Sequence, residues 1–170
     1  MNQNNLGIYV HIPFCVSKCC YCDFLSFPGI GEDKVEAYFD ALMKEIEYRA
    51  PIFEGNRIET IYIGGGTPSA VPPFYIEKVI EKIRSMTVLE EGLERTIEIN
   101  PDSCSDEKLE VYRQIGLNRI SMGLQSGQDD VLKKIGRIHT VHQFYDAYER
   151  LIRWGFDNIN IDLMSGLPGQ

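Results

Sequence analysis

A chain of 170 residues, 44% hydrophobic and 25% charged, has the length for one domain with a sizeable core and the composition of a folded globular protein. Its net charge of −8 offers no basic footprint for nucleic acid, and no apolar run approaches the ~20 residues that span a bilayer. The opening stretch MNQNNLGIYV has no basic residue ahead of its apolar part, which argues against a secretory leader, and five cysteines, an odd number, fit poorly with a fully paired disulfide framework. A cytoplasmic setting with reduced thiols follows as the expectation.

In chain order, residues 7–14 (GIYVHIPF) alternate polar and apolar side chains and predict a first strand. A cysteine-rich segment follows at once, then a helical pattern over 33–50 with Val35, Tyr38, Phe39, Leu42, Ile46 and Tyr48 largely on one stripe. TIYIGG (60–65) is the second strand, and Pro72 and Pro73 suit the first turn of the helix after it. RTIEIN (95–100) is the third strand, followed by a helix with Ser105 as N-cap and Gly116 as its stop. RISMGLQS (119–126) is the fourth. A short helical turn, DDVLKKIG, and a longer helix ending at Gly155 then lead to the fifth strand, NINIDLM (158–164).

Strands alternating with helices imply a parallel sheet covered by helices. One strand face is apolar throughout: Ile8, Val10 and Ile12; Ile61 and Ile63; Ile97 and Ile99; Ile120, Met122 and Leu124; Ile159, Ile161 and Leu163. The other face carries Tyr9 and His11; Tyr62 and Gly64; Thr96, Glu98 and Asn100; Ser121, Gly123 and Gln125; Asn158, Asn160 and Asp162. A doubly wound sheet is apolar on both faces. Five strands sharing a polar face instead predict an open, partial TIM-like α/β barrel, with a polar ligand at the C-terminal strand ends. Gln170 falls a few residues after the fifth strand with no helix following, so residues 1–170 read as the N-terminal fragment of a longer protein.

The chemistry concentrates on the loop leaving the first strand. Cys15, Cys19 and Cys22 are spaced C-x3-C-x2-C. Three thiolates can hold three irons of a [4Fe–4S] cube and leave the fourth open, whereas structural clusters usually take four cysteines. The alternative is zinc, with His11 or Cys104 as fourth ligand, but no second C-x2-C pair or H-x3–5-H supports it. Cys20 reads as a small filler between ligands and Cys104 as structural. IGGGTPS (63–69) carries three glycines that let backbone approach a ligand closely, yet lacks the ending of a P-loop. Glu98, Gln125 and Asp162 each end a strand on the polar face and, with Tyr9, suit a ligand bearing amine and hydroxyl groups. Arg137 could neutralise a carboxylate by a bidentate contact. Lys18 reads as a solvated loop charge, and His139 and His142 as helix-entry and surface residues.

The strings YVHIPFCVSKCCYCDF, GGGTPS, EINPDS, GLQS and DLMSGLPGQ, in this order, resemble the radical S-adenosylmethionine (SAM) proteins, and within them the oxygen-independent coproporphyrinogen III oxidase group. The resemblance implies the radical SAM barrel, with a [4Fe–4S] cluster on Cys15, Cys19 and Cys22. It also implies a SAM molecule contacted by Tyr9, Gly65, Gly66, Thr67, Glu98, Gln125, Arg137 and Asp162, and its reductive cleavage to methionine and a 5′-deoxyadenosyl radical. Two branches differ by a fourth cysteine two residues after the last ligand and by a longer N-terminal extension in the decarboxylating enzymes. Phe24 occupies the first of these positions and only eight residues precede Tyr9, which is similar to the heme chaperones of the HemW type. Cys20 departs from the proline common in that branch. The resemblance also implies a sixth strand and a C-terminal domain, which residues 1–170 do not include. The implied function is heme binding and transfer, with heme or porphyrin, a heme-accepting protein and an electron donor as partners. The alternative is oxidative decarboxylation of coproporphyrinogen III to protoporphyrinogen IX.

Overall fold

The computed structural model describes residues 4–170; residues 1–3, which open the stretch read for a leader, lie outside it. The main elements are β1 (Asn5–Ile12), β2 (Phe14–Cys15), β3 (Phe27–Pro28), α1 (Glu32–Arg49), β4 (Arg57–Gly65), α2 (Pro73–Arg84), β5 (Glu94–Ile99), α3 (Asp106–Gln114), β6 (Arg119–Gln125), α4 (Asp129–Lys134), α5 (Val141–Arg153) and β7 (Asn158–Leu163). The five long strands form one parallel sheet in the order β1-β4-β5-β6-β7. Sequential parallel neighbours joined by right-handed crossovers carry their helices on the same side. β1 and β7 remain as edges, so the barrel is open, as the strand pattern predicted. The two-residue strands β2 and β3 pair with each other and bracket the cysteine loop.

The period-2 alternation sorts the faces. Ile12, Ile61, Ile63, Ile97, Ile120 and Met122 have no exposed surface, and Ile76, Val79, Ile80, Ile83, Leu109 and Leu151 of the helices share their cluster. The apolar face is least covered on β7, where Ile159 is partly buried but Ile161 and Leu163 are exposed. On α1, Val35, Phe39 and Ile46 are buried, with Tyr38 and Leu42 packed beside them. Tyr48 departs from the expected stripe: two residues beyond Ile46, it points away from that face and is exposed.

Capping explains where several helices start. The Ser105 hydroxyl accepts from the Lys108 amide at 3.4 Å, the N-cap expected for α3. Thr140 and Gln143 form a reciprocal capping box at α5, which the sequence reading had not used. That entry also corrects one expectation. His139, read as a helix-entry or surface residue, is only 3% exposed, whereas His142 does lie at the surface against Asp146.

Burial, reinforced by the Arg137 charge, pushes the His139 imidazole down to about 4. Its ordinary value in the unfolded chain lies higher, so as pH falls the unfolded state takes up the proton first. Stability is therefore lost as pH drops from about 6.5 towards 4. Urea unfolding at pH 6.5 and 4.5 should show a smaller drop in His139→Leu than in the parent, by roughly 1–3 kcal/mol. Equal drops would show that His139 does not contribute to acid destabilisation.

Candidate cofactor site

The cysteine loop is built around its own backbone before any ligand is considered. β1 ends at Ile12, and the loop returns through β3, where the Phe27 amide donates to the Pro13 carbonyl at 2.7 Å. Lys18, expected in solvent, instead closes the loop: its ammonium donates to the Phe24 carbonyl at 2.6 Å and to the Ser26 hydroxyl at 3.0 Å. His11 does a similar service. The Leu25 carbonyl can only accept, so Nε2 at 2.9 Å carries the proton, and Nδ1 accepts from the Tyr9 hydroxyl at 3.0 Å. Cys20 is anchored through its main chain, its amide donating to the Ile135 carbonyl at 3.0 Å. The cysteine loop thus sits on the C-terminal end of α4, where Gly136 takes a positive φ of 80°.

The glycines of β4 have a role the sequence reading did not assign. A Cβ on Gly65 would meet the His11 ring at 2.7 Å, and one on Gly66 would meet the Phe14 carbonyl at 2.7 Å and Cys15 Sγ at 3.0 Å. What these positions admit closely is the chain's own cysteine loop, so the strand end and the first thiol are set against each other.

Above them lies a cleft of about 440 Å³. Ten of the eleven residues expected at the site line it: Cys15, Cys19, Cys22, Gly65, Gly66, Thr67, Glu98, Gln125, Arg137 and Asp162. Tyr9 does not. It is 58% exposed on edge strand β1, stacked 6.1 Å from the Tyr62 ring, which stands between it and the cleft lining.

Glu98 is half-buried and held at both oxygens, by the Tyr62 hydroxyl at 2.7 Å and the Gly65 amide at 3.0 Å. Burial and the bond to Glu98 push the Tyr62 phenol well above its usual range, so Tyr62 stays a donor. Asp162 accepts from Asn160 at 2.8 Å and from the Ser121 hydroxyl at 3.5 Å. Gln125 has a positive φ of 69°, the one non-glycine with that sign among the described residues, where β6 slips register against β7. A bulge there re-aims the side chain towards the cleft, and such left-handed backbone is uncommon for glutamine.

Arg137 is turned inwards and engaged with the protein itself. Its guanidinium donates to the Asn100 side-chain carbonyl at 2.8 Å and to the Gly123 carbonyl at 2.9 Å, and Nη1 lies 4.0 Å from Cys19 Sγ. Asn100, Tyr62 and Tyr21 were not among the expected site residues, yet all three line the cleft. Asn100 and Tyr62 were visible as residues of the same polar face as Glu98. Burial pushes the Tyr21 phenol up to about 12, so it too stays neutral.

The donor set suits a polynuclear iron–sulfur group. The three thiols are free, sit on one loop and open on one cleft beside two carboxylates. A closed zinc site would need a fourth ligand beside the three thiols. The two side chains proposed to complete such a site are otherwise engaged. Both His11 nitrogens are bonded, and Cys104 is buried beside the Ala147 carbonyl, its thiol pushed up to about 11 by burial.

Known proteins give the same picture. Residues 9–170 match the radical SAM superfamily. The chain is 44% identical to the heme chaperone HemW of Lactococcus lactis subsp. lactis (strain IL1403) over 170 residues, which is all of this chain and 44% of that protein. It is 36% identical over 165 residues to the heme chaperone HemW of Escherichia coli (strain K12), covering 97% of this chain and 44% of that one. The structure of the coproporphyrinogen III oxidase HemN from Escherichia coli, a radical SAM enzyme, superposes with a TM-score of 0.92 at 32% identity, over 99% of this chain and 39% of its own. The chain therefore spans less than half the length of these relatives. From its match over residues 9–170, together with the sheet order and the cysteine-lined cleft, the chain belongs to the radical SAM superfamily.

Proposed function

We propose that this chain is the cofactor-binding core of a heme chaperone, which binds heme and passes it to a target protein. Membership of the superfamily implies a [4Fe–4S] cluster and SAM. In this reading Cys15, Cys19 and Cys22 hold the cluster, and Gly65, Gly66, Thr67, Glu98, Gln125, Arg137 and Asp162 receive SAM, with Tyr9 behind Tyr62 as an outer member. A reduced cluster supplies the electron that breaks a carbon–sulfur bond of the SAM sulfonium. The observation that carries the reading is the convergence of three free thiols and two anchored carboxylates on one cleft.

Each residue has work suited to its surroundings. The two bonds that fix Glu98 leave lone pairs on both oxygens, enough to accept from a ribose hydroxyl. Asp162 offers a second acceptor across the cleft, and Arg137 a fixed positive charge for the SAM carboxylate. Phe24, 69% exposed on the cleft wall, occupies the position at which the decarboxylating branch has an extra cysteine, and favours the chaperone. The names of the relatives at 44% and 36% identity support the same branch. No helix of the described residues is long and apolar enough to cross a membrane, and we place the protein in the cytoplasm with an electron donor and a heme-accepting protein as partners. The second reading, oxidation of coproporphyrinogen III, rests on the close superposition with HemN.

Anaerobic assays on the full-length protein separate the two. Tight heme binding and delivery without decarboxylated product is expected; accumulation of protoporphyrinogen IX would instead establish the oxidase. Iron and sulfide should fall to background in Cys15→Ala, Cys19→Ala and Cys22→Ala but persist in Cys20→Ala. Undiminished iron in Cys19→Ala would remove that residue from the ligand set. Glu98→Gln and Asp162→Asn should each weaken SAM binding by about tenfold or more, the scale of one charge-assisted hydrogen bond, while leaving iron content unchanged. SAM affinity equal to the parent's in both variants would dissociate the polar face from the cofactor.

A further inference from the structure

Two of the three thiols receive a hydrogen-bond donor from outside their own loop. The Thr67 hydroxyl lies 3.5 Å from Cys15 Sγ, and Arg137 Nη1 lies 4.0 Å from Cys19 Sγ. Both donors are tied to a single side chain. Asn100 Nδ2 donates to Thr67 Oγ1 at 3.3 Å, and Asn100 Oδ1 accepts from Arg137 Nη2 at 2.8 Å. The orientation of this amide is dictated by chemistry: a guanidinium has no acceptor, so the Asn100 oxygen must face Arg137 and its nitrogen must face Thr67. Because Thr67 Oγ1 then accepts from Asn100, its own proton is free to point at the Cys15 sulfur. The amide is itself held by its main chain, which accepts from the Ser103 hydroxyl at 3.0 Å and donates to the Ser69 hydroxyl at 3.1 Å.

We propose that Asn100 is a positioning residue that sets the direction of the donors on Cys15 and Cys19 and so raises the reduction potential of the cluster those thiolates hold. This rests on the cluster assignment above. Reduction adds negative charge that is shared by the ligating sulfurs, and donors aimed at those sulfurs stabilise the reduced form. An aspartate at position 100 is nearly the same shape but reverses one bond. Its carboxylate accepts from Thr67, turns the hydroxyl proton away from Cys15, and brings a negative charge close to the cluster.

The test uses the full-length protein with its cluster reconstituted anaerobically. Iron and sulfide are measured first, and the midpoint potential then follows from a titration monitored by electron paramagnetic resonance. At full iron load, Asn100→Asp should be about tenfold harder to reduce at a fixed poise, which is about 59 mV for a one-electron couple. Thr67→Val should shift the potential in the same direction, and by less, since it removes one donor without adding charge. Adding Asn100→Leu to Thr67→Val should shift it less than Asn100→Leu does alone, because the two act through one hydroxyl. Potentials within error of the parent in Asn100→Asp and Thr67→Val, with iron retained, would overturn the inference. If Asn100→Asp fails to keep its iron, Thr67→Val decides alone, an unchanged potential there being equally fatal. A parent protein that takes up no iron would instead defeat the cluster assignment.

Discussion

The close approach between the end of β4 and the start of the cysteine loop is the constraint on which the rest of the site depends. Gly66 lies against Phe14 and Cys15, and Gly65 lies under the His11 ring, at distances no side chain could share. With that contact made, the Gly66 and Thr67 amides donate to the Ile12 and Phe14 carbonyls at 2.9 and 2.7 Å. The Gly65 amide is left to point at Glu98. One packing decision thus places the first thiol, fixes the carboxylate two strands away and brings the Thr67 hydroxyl beside Cys15. A single methyl group at Gly66 would act on all three.

The polar face of the sheet follows from the same economy. An open barrel with helices on one side leaves the other side of its strands to carry polar groups, and where these are partly buried an unpaired charge is costly. The charged and polar groups there are paired with one another: Tyr62 with Glu98, Arg119 with Thr96, Asn160 with Ser121 and Asp162, Asn100 with Thr67 and Arg137. These contacts hold the donors and acceptors in place before a cofactor arrives, so its binding need not bear the cost of ordering them. The pattern also separates two duties within a strand. On β5, Ile97 and Ile99 pack into the core while Glu98 between them faces the cleft.

The five long strands and their two faces could be read from the sequence because period-2 alternation is a local signal and survived at every strand. The three thiols that open on the cleft were legible because C-x3-C-x2-C is local too. What was not legible depended on contacts between distant segments. Lys18 looks like a loop charge until β3 folds back and offers the Phe24 carbonyl and Ser26 hydroxyl. His139 looks like a surface residue until Leu124 at the end of β6, Asp129 at the start of α4 and Arg137 come alongside it. Tyr9 shares the parity of the polar face, but parity does not say which edge of the cleft a strand occupies; β1 is the outermost, and Tyr62 on its neighbour intervenes. Asn100 had the right parity as well, but its bridge exists only once Thr67 after β4 and Arg137 after α4 are brought to it from distant segments.

The crowding of Cys19 and Cys20 in one loop has a physical resolution in the backbone. Cys20 belongs to the loop through its backbone: its amide holds the Ile135 carbonyl at the end of α4, and its thiol lies towards Gly136 and is absent from the cleft lining. That docking has a consequence for its neighbours. Arg137 follows Gly136 directly, so the contact that seats Cys20 on α4 also delivers the guanidinium to Cys19, Asn100 and Gly123. Cys20 is therefore part of the contact by which the end of α4 reaches the cysteine loop. Its amide, rather than its thiol, makes the hydrogen bond that seats the loop on α4.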